Sequence, residues 1–223
     1  MPALEAAAPH AVPRVKPRLR GVSHELAAYA TVPAVILLLR HAHSPTARLA
    51  ATVYGLSLAA LFGVSAIYHR VFWPLATRKV LGRVDHSAIF LLIAGTYTPI
   101  GLLLGPGLGH TTLGILWAGS LAGMVLVTVW EGLPKKLRSA LYVLLGWVLV
   151  PAVPQIRAAT GDVGLALLFG GGVLYTLGAI IYGARRPDPF PRTFGFHEIF
   201  HLLVVAAAGI HYVAVWDAIS RLG

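Results

Sequence analysis

The sequence predicts an all-α integral membrane protein, built as a bundle of seven transmembrane helices. The mean hydropathy is +0.75, 57% of the residues are hydrophobic and only 12% are charged. These values lie outside the range of soluble globular domains. The apolar residues also form stretches of roughly 18 to 23 residues between polar breaks, each able to cross the hydrocarbon core as a helix. Lipid is therefore the expected solvent for most of the chain.

The first predicted span is the least regular, because only Leu26 to Leu39 is free of charge and Pro33 interrupts it. A signal peptide is the alternative there. The long basic arm before the span, and the lack of a small-residue cleavage site after Arg40, favour a retained helix. The remaining spans are read between polar breaks in the same way. The seven predicted spans are residues 22–40, 49–69, 86–108, 111–130, 139–156, 163–184 and 196–216.

Two of these spans contain small residues suited to close helix packing. Gly119 and Gly123 lie four residues apart in the fourth span, and the sixth span is rich in glycine. Small residues let helix backbones approach one another in lipid, where no hydrophobic force drives helices together. A packing role is therefore predicted for these glycines rather than a ligand role.

Basic residues orient the predicted bundle, because Lys and Arg accumulate in cytoplasmic loops. With the amino terminus inside, 14 of the 18 basic residues fall in cytoplasmic segments. The sequence therefore predicts a multi-pass protein of the plasma (cytoplasmic) membrane, with its carboxyl terminus outside. The net charge of +10 is then explained by loop residues that face anionic lipid head groups. Binding to nucleic acid is not expected, because the basic residues are scattered over four loops.

Two domain-level predictions follow from composition. Residues 1–21 carry four prolines and alternating basic residues, which is typical of a flexible cytoplasmic arm. Residues 22–223 form one membrane domain with short loops. The chain has no cysteine, so disulfides, thiolate ligands and cysteine nucleophiles are excluded. Any metal must be held by histidine and carboxylate.

The seventh span opens with a match to the H-E-x-x-H pattern, His197 to His201, which places two imidazoles one helical turn apart. The predicted topology brings other polar residues to the same depth. The end of span two carries His69, and the start of span three carries Asp85. Both positions face the cytoplasmic leaflet, as does the start of span seven. Polar groups in membrane spans are costly and usually functional.

Three imidazoles and a carboxylate at one depth are the usual inventory of a catalytic zinc site with an open position for water. We therefore predict that His69, His197 and His201 bind Zn²⁺. Asp85 is placed to hold the water or to act as general base. Ser65 lies one turn before His69, and its hydroxyl is expected to orient a ligand or contact the water.

The roles of three further polar residues stay open. His86 either supports the site or caps a neighbouring carbonyl. His211 lies too deep to bind the same ion, so a structural role or a place in a cavity wall is expected. Glu198 would be the general base of an intramembrane protease, but the only later acid, Asp217, lies about 24 Å from His201 along the helix. The other histidines, including His24, are expected at the surface.

These residues resemble the motifs of the hemolysin III family, the bacterial branch of the progestin and adiponectin receptor family. The resemblance covers all seven spans and rests on Ser65–His69, Asp85–Pro99, His197–His201 and His211–Val215. It implies an intramembrane zinc near the cytoplasmic face, bound by His69, His197 and His201, with Asp85 near the water.

The resemblance extends to the alkaline ceramidases, and it implies a zinc-dependent hydrolase whose substrate is a membrane lipid with an amide bond, such as a ceramide. The alternative is a lipid sensor or receptor with a structural zinc and no turnover. A membrane-permeabilising activity, implied by the family name, is a further alternative that the residue pattern does not explain. The sequence itself does not name the lipid or a protein partner.

Overall fold

The computed structural model describes residues 16–223, so the predictions for residues 1–15 lie outside the described part of the chain. Every regular element in the described range is helical, apart from one isolated bridge between Phe190 and Phe194. The helices are α1 (Val22–His41), α2 (Pro45–Arg70), α3 (Leu75–Leu104), α4 (Leu108–Val129), α5 (Lys135–Gly146), α6 (Val153–Ala184) and α7 (Phe196–Arg221), with a 3₁₀ turn at Val150–Ala152.

Six helical stretches of the described residues are long and apolar enough to cross a membrane. Five of them are α1 to α4 and α7. The sixth is the 50-residue segment Lys135–Ala184, which joins α5, the 3₁₀ turn and α6. The prediction of an all-α membrane protein is therefore confirmed.

The 50-residue segment folds back on itself at Gly161. This glycine has φ 73° and ψ 178° inside α6, and a positive φ favours glycine because other residues carry a Cβ. The Trp147 indole donates a hydrogen bond to the Thr176 hydroxyl at 2.9 Å, and the Arg138 guanidinium lies 3.5 Å from the Tyr182 hydroxyl. The residues of each pair are nearly equidistant from Gly161 in sequence. The parts before and after this glycine therefore lie side by side and antiparallel.

The helix that carries the third predicted span, residues 86–108, begins at Leu75, well before residue 86. Arg78, Lys79 and Arg83 belong to this helix rather than to a loop. Backbone hydrogen bonds hold a helix together whether or not its side chains are apolar, so a helix can extend beyond the hydrocarbon. Asp85 consequently lies about three turns inside α3.

The site is positioned by the packing of α2, α3, α6 and α7. One apolar cluster of buried residues joins α1, α2, α3 and α7, and a second joins α3, α4, α6 and α7. Gly123 packs directly against the ring of Phe90, so a Cβ there would overlap that ring. The predicted packing role of Gly123 is confirmed.

Candidate metal centre

Three histidines from two helices converge at one end of the bundle. His69 lies in the last turn of α2, and His197 and His201 lie in the first turns of α7. One ring nitrogen from each lies within 4.8 Å of the other two. The Nε2 atoms of His69 and His197 are 3.4 Å apart. The structure therefore brings together the three predicted metal ligands. His69 on α2 lies 128 positions before His197 on α7 in the sequence.

The distance between the His69 and His197 nitrogens fits a tetrahedral metal ion. Zinc binds imidazole nitrogen at roughly 2.0 to 2.1 Å, which places two ligands of a tetrahedral site roughly 3.3 to 3.4 Å apart. The Nε2 to Nε2 distance of 3.4 Å between His69 and His197 agrees with this. His201 is 2% exposed, and its Nδ1 is buried without a hydrogen-bond partner. The cluster can hold a metal ion, and its ligand chemistry suits zinc.

Asp85 lies beside the cluster. Its Oδ2 is 3.7 Å from Nε2 of His69, and its side chain is 13% exposed. The carboxylate also faces the large cavity described below. Its position lets it contact both His69 and a molecule in that cavity.

Ser65 contacts a histidine that the sequence analysis placed at the surface. Its hydroxyl lies 2.8 Å from Nδ1 of His24, and both residues are buried. The His24 ring stacks on His201 with ring centroids 3.8 Å apart and an interplanar angle of 8°. The surface prediction for His24 was therefore wrong. The start of α1 faces the same leaflet as the start of α7 in the predicted topology, so the argument that grouped His69 with His197 also applies to His24.

Glu198 does not face the histidine cluster. Its Oε1 forms a 2.5 Å ion pair with the Arg20 guanidinium, and its Oε2 accepts a hydrogen bond from the Gly195 backbone N–H at 2.8 Å. The side chain is only 3% exposed. Both carboxylate oxygens are thus occupied at the amino-terminal end of α7, where a negative charge is favoured by the helix dipole.

The chain before α1 packs over this end of the bundle. The backbone N–H groups of Arg18 and Leu19 donate to the carbonyls of Arg192 and Thr193, both at 3.1 Å. Together with the Arg20 to Glu198 ion pair, these contacts attach the segment 16–21 to the loop that precedes α7. The segment therefore lies close to the first turn of α7.

His86 makes its hydrogen bonds to α5, and it lines a small cavity together with Asp85, His197 and His201. Its Nδ1 accepts a hydrogen bond from the Arg138 guanidinium at 2.9 Å, and its backbone carbonyl accepts one from the Tyr142 hydroxyl at 3.1 Å. These contacts tie α3 to α5. The sequence left open whether His86 supports the site or has a structural role, and these contacts favour the structural role.

A cavity of about 110 Å³ extends from the cluster into the bundle. Asp85, His201 and Ser65 line one end of it, and His211 lines the other. Its wall between the two ends includes Leu92, Ile93 and Val204. A mostly apolar cavity with a few convergent polar groups is typical of a small-molecule binding site.

The chain matches the family described as "Haemolysin-III related" over residues 13–212. The chain belongs to this family. It is 36% identical to "Hemolysin-3" of Bacillus cereus over 200 residues, which cover 87% of each protein. It is 30% identical to "Monocyte to macrophage differentiation factor" of Homo sapiens over 203 residues, which cover 87% of this chain and 82% of the human protein. The family resemblance read from the sequence motifs is therefore confirmed.

Proposed function

We propose that this haemolysin-III-related protein is a zinc-dependent hydrolase of membrane lipid amides, with a ceramide-like substrate. The observation that carries the proposal is the placement of three histidines, two of them buried, and Asp85 at the end of a mostly apolar cavity. The histidines supply the ligands, the carboxylate supplies a base, and the cavity supplies room for an acyl chain.

We also propose seven membrane crossings, with the amino terminus on the cytoplasmic side of the plasma membrane. The reversal at Gly161 divides Lys135–Ala184 into two antiparallel parts, each about as long as one crossing. With seven crossings, the ends of α2 and α7 that carry the three histidines lie at the cytoplasmic leaflet. The start of α1 with His24 and the part of α3 with Asp85 lie at the same leaflet. The concentration of basic residues on that side supports this orientation.

When bound, zinc polarises the acyl carbonyl and makes water a nucleophile at neutral pH. His69, His197 and His201 hold the ion in this proposal, and the apolar wall of the cavity aligns the acyl chain. Asp85 accepts a proton from the attacking water as general base. That proton passes to the amine nitrogen as the C–N bond breaks, which gives a carboxylic acid and a free amine.

The test is amide hydrolysis by the purified protein in mixed micelles with ceramide, measured as released fatty acid. Asp85→Asn should lower the rate by about 10² to 10⁴-fold, the usual contribution of a general base, with unchanged zinc content. Thr128→Ala, in α4 and away from the cavity, serves as the control and should keep the parent rate.

Hydrolysis that persists in Asp85→Asn would contradict the proposed role of this carboxylate. Zinc binding without hydrolysis in the parent protein would instead favour a lipid sensor with a structural metal. An intramembrane protease is disfavoured, because Glu198 is held by Arg20 and Gly195 away from the cluster. No contact within residues 16–223 favours a membrane-permeabilising activity.

A further inference from the structure

The end of the large cavity farthest from the metal centre carries polar atoms without partners. His211 lies ten residues after His201 on α7, which places it about 15 Å deeper in the bundle. His211 is 5% exposed, and its Nδ1 is buried without a hydrogen-bond partner. The hydroxyl of Tyr175 on α6 is also buried without a partner. Both residues line the cavity, and their rings are 5.4 Å apart.

The hydrogen bonding of His211 fixes which of its nitrogens donates. Its Nε2 lies 3.0 Å from the backbone carbonyl of Leu168, and a carbonyl oxygen can only accept. Nε2 therefore carries the proton, and in the neutral imidazole Nδ1 is an acceptor. Gly171 leaves room for this ring, since a Cβ there would overlap it. The ring is thus held in place with an unused acceptor.

The hydrogen-bonding capacities of the two unpartnered groups favour one kind of ligand group. Nδ1 of His211 needs a donor, whereas the Tyr175 hydroxyl can donate or accept. A hydroxyl group satisfies both, because it donates to the imidazole and accepts from the phenol. A ketone or ester carbonyl could satisfy only Tyr175. A carboxylate would place negative charge against the lone pair of Nδ1.

Two hydroxyl groups elsewhere in the cavity wall already have hydrogen-bond partners. The Thr176 hydroxyl donates to the Gly172 carbonyl at 2.8 Å and accepts from the Trp147 indole at 2.9 Å. The Tyr97 hydroxyl donates to the Gly146 carbonyl at 2.6 Å. Thr96 also lines the cavity, and nearer the metal centre the wall includes Ser65, Asp85 and the buried Nε2 of His24, which has no hydrogen-bond partner. Buried polar atoms are normally paired, so the two unpaired atoms at the deep end point to a ligand or a water molecule.

We propose that the deep end of the cavity is a binding subsite for a hydroxyl group in the middle of a ligand's acyl chain, about 15 Å from the group that faces the metal. His211 accepts the hydrogen bond from this hydroxyl, and Tyr175 donates one to it. This inference rests on the proposed function, since it assumes that an acyl amide occupies the cavity. It assigns to the protein a preference for hydroxylated chains.

The test is competition binding, read by native mass spectrometry of the purified protein with zinc present. The probes are octadecanoyl ethanolamide and its derivatives hydroxylated at successive mid-chain carbons, each offered with an equal amount of the plain amide. One hydroxylated derivative should be preferred by about tenfold, since two buried hydrogen bonds together contribute about one factor of ten.

Tyr175→Phe removes only the hydroxyl and should reduce the preference to about twofold or less. His211→Phe should do the same, and Tyr175→Phe keeps the test decisive if the His211 variant does not fold. Tyr97→Phe is the matched control, because it removes a hydroxyl from the same cavity that already bonds the protein. The preference should survive in this control.

The outcomes separate this inference from the proposed function. Equal binding of plain and hydroxylated amides would overturn the hydroxyl subsite and show that the deep polar atoms hold water, while the lipid-amide proposal would stand. A preference that survives Tyr175→Phe would also overturn the subsite. Failure of every amide to bind would overturn the proposed function as well.

Discussion

The ion pair between Arg20 and Glu198 gives a sharp prediction about the first turn of α7. Arg20→Ala removes the cation and leaves the Glu198 carboxylate, 3% exposed, with only the Gly195 N–H as partner. Removing one partner of a buried ion pair costs about 3 to 5 kcal/mol. The Arg20 side chain is 22% exposed and the Gly195 hydrogen bond remains, so we expect a loss of about 2 to 3 kcal/mol.

The assay is thermal unfolding of the purified protein in detergent. A loss of about 2 to 3 kcal/mol corresponds to a decrease in Tm of about 4 to 12 °C for a chain of this size. Glu198→Gln removes the charge while its side-chain oxygen can still accept from Gly195. The double variant Arg20→Ala, Glu198→Gln should therefore be more stable than Arg20→Ala alone, because no unpaired charge is buried.

The matched control is Arg70→Ala. Arg70 pairs with Glu25 at 2.7 Å near the same end of the bundle, but this pair is exposed, with 41% and 31% of the two side chains accessible. Such pairs contribute about 0 to 1 kcal/mol. If Arg20→Ala shifts Tm no more than Arg70→Ala does, or if Glu198→Gln does not restore stability, the reasoning about a buried structural carboxylate is refuted.

Two further predictions concern packing and the surroundings of the cluster. Gly171→Ala should lower Tm by more than Gly170→Ala, because the Cβ at position 171 would overlap the His211 ring whereas the Cβ at position 170 meets no atom within 4 Å. Overpacking costs about 1 to 3 kcal/mol. Equal Tm values for the two variants would contradict the close approach of Gly171 to His211. Ser65→Ala should leave the metal content unchanged, because the Ser65 hydroxyl contacts His24; a loss of metal, measured by elemental analysis, would show that the hydroxyl acts on the cluster directly.

The depth of polar residues in a membrane bundle could be predicted from the sequence. Each crossing reverses the chain, so the number of crossings between two residues decides whether they share a leaflet. Counting crossings in this way predicts that His69, Asp85 and His201 lie close together, and in the structure they do. It also covers His24, which was missed because a single histidine near a span end was assumed to be solvated.

Other features could not be predicted, because they depend on how segments outside the hydrocarbon fold. Hydropathy marks the hydrocarbon region and not the hydrogen-bonded length of a helix, so the start of α3 at Leu75 was missed. The role of Glu198 depends on Arg20, in a segment that the sequence described only as a flexible arm. The partnerless nitrogen of His211 is visible only once its neighbours are known.

Metal analysis of the purified protein tests whether His69, His197 and His201 form a zinc site. We expect about one equivalent of zinc per chain, as for a single tetrahedral site. We also expect loss of that zinc in His201→Ala and its retention in Ser65→Ala. Purified protein that takes up no zinc, or His201→Ala protein that holds as much as the parent, would contradict the assignment of these histidines as metal ligands.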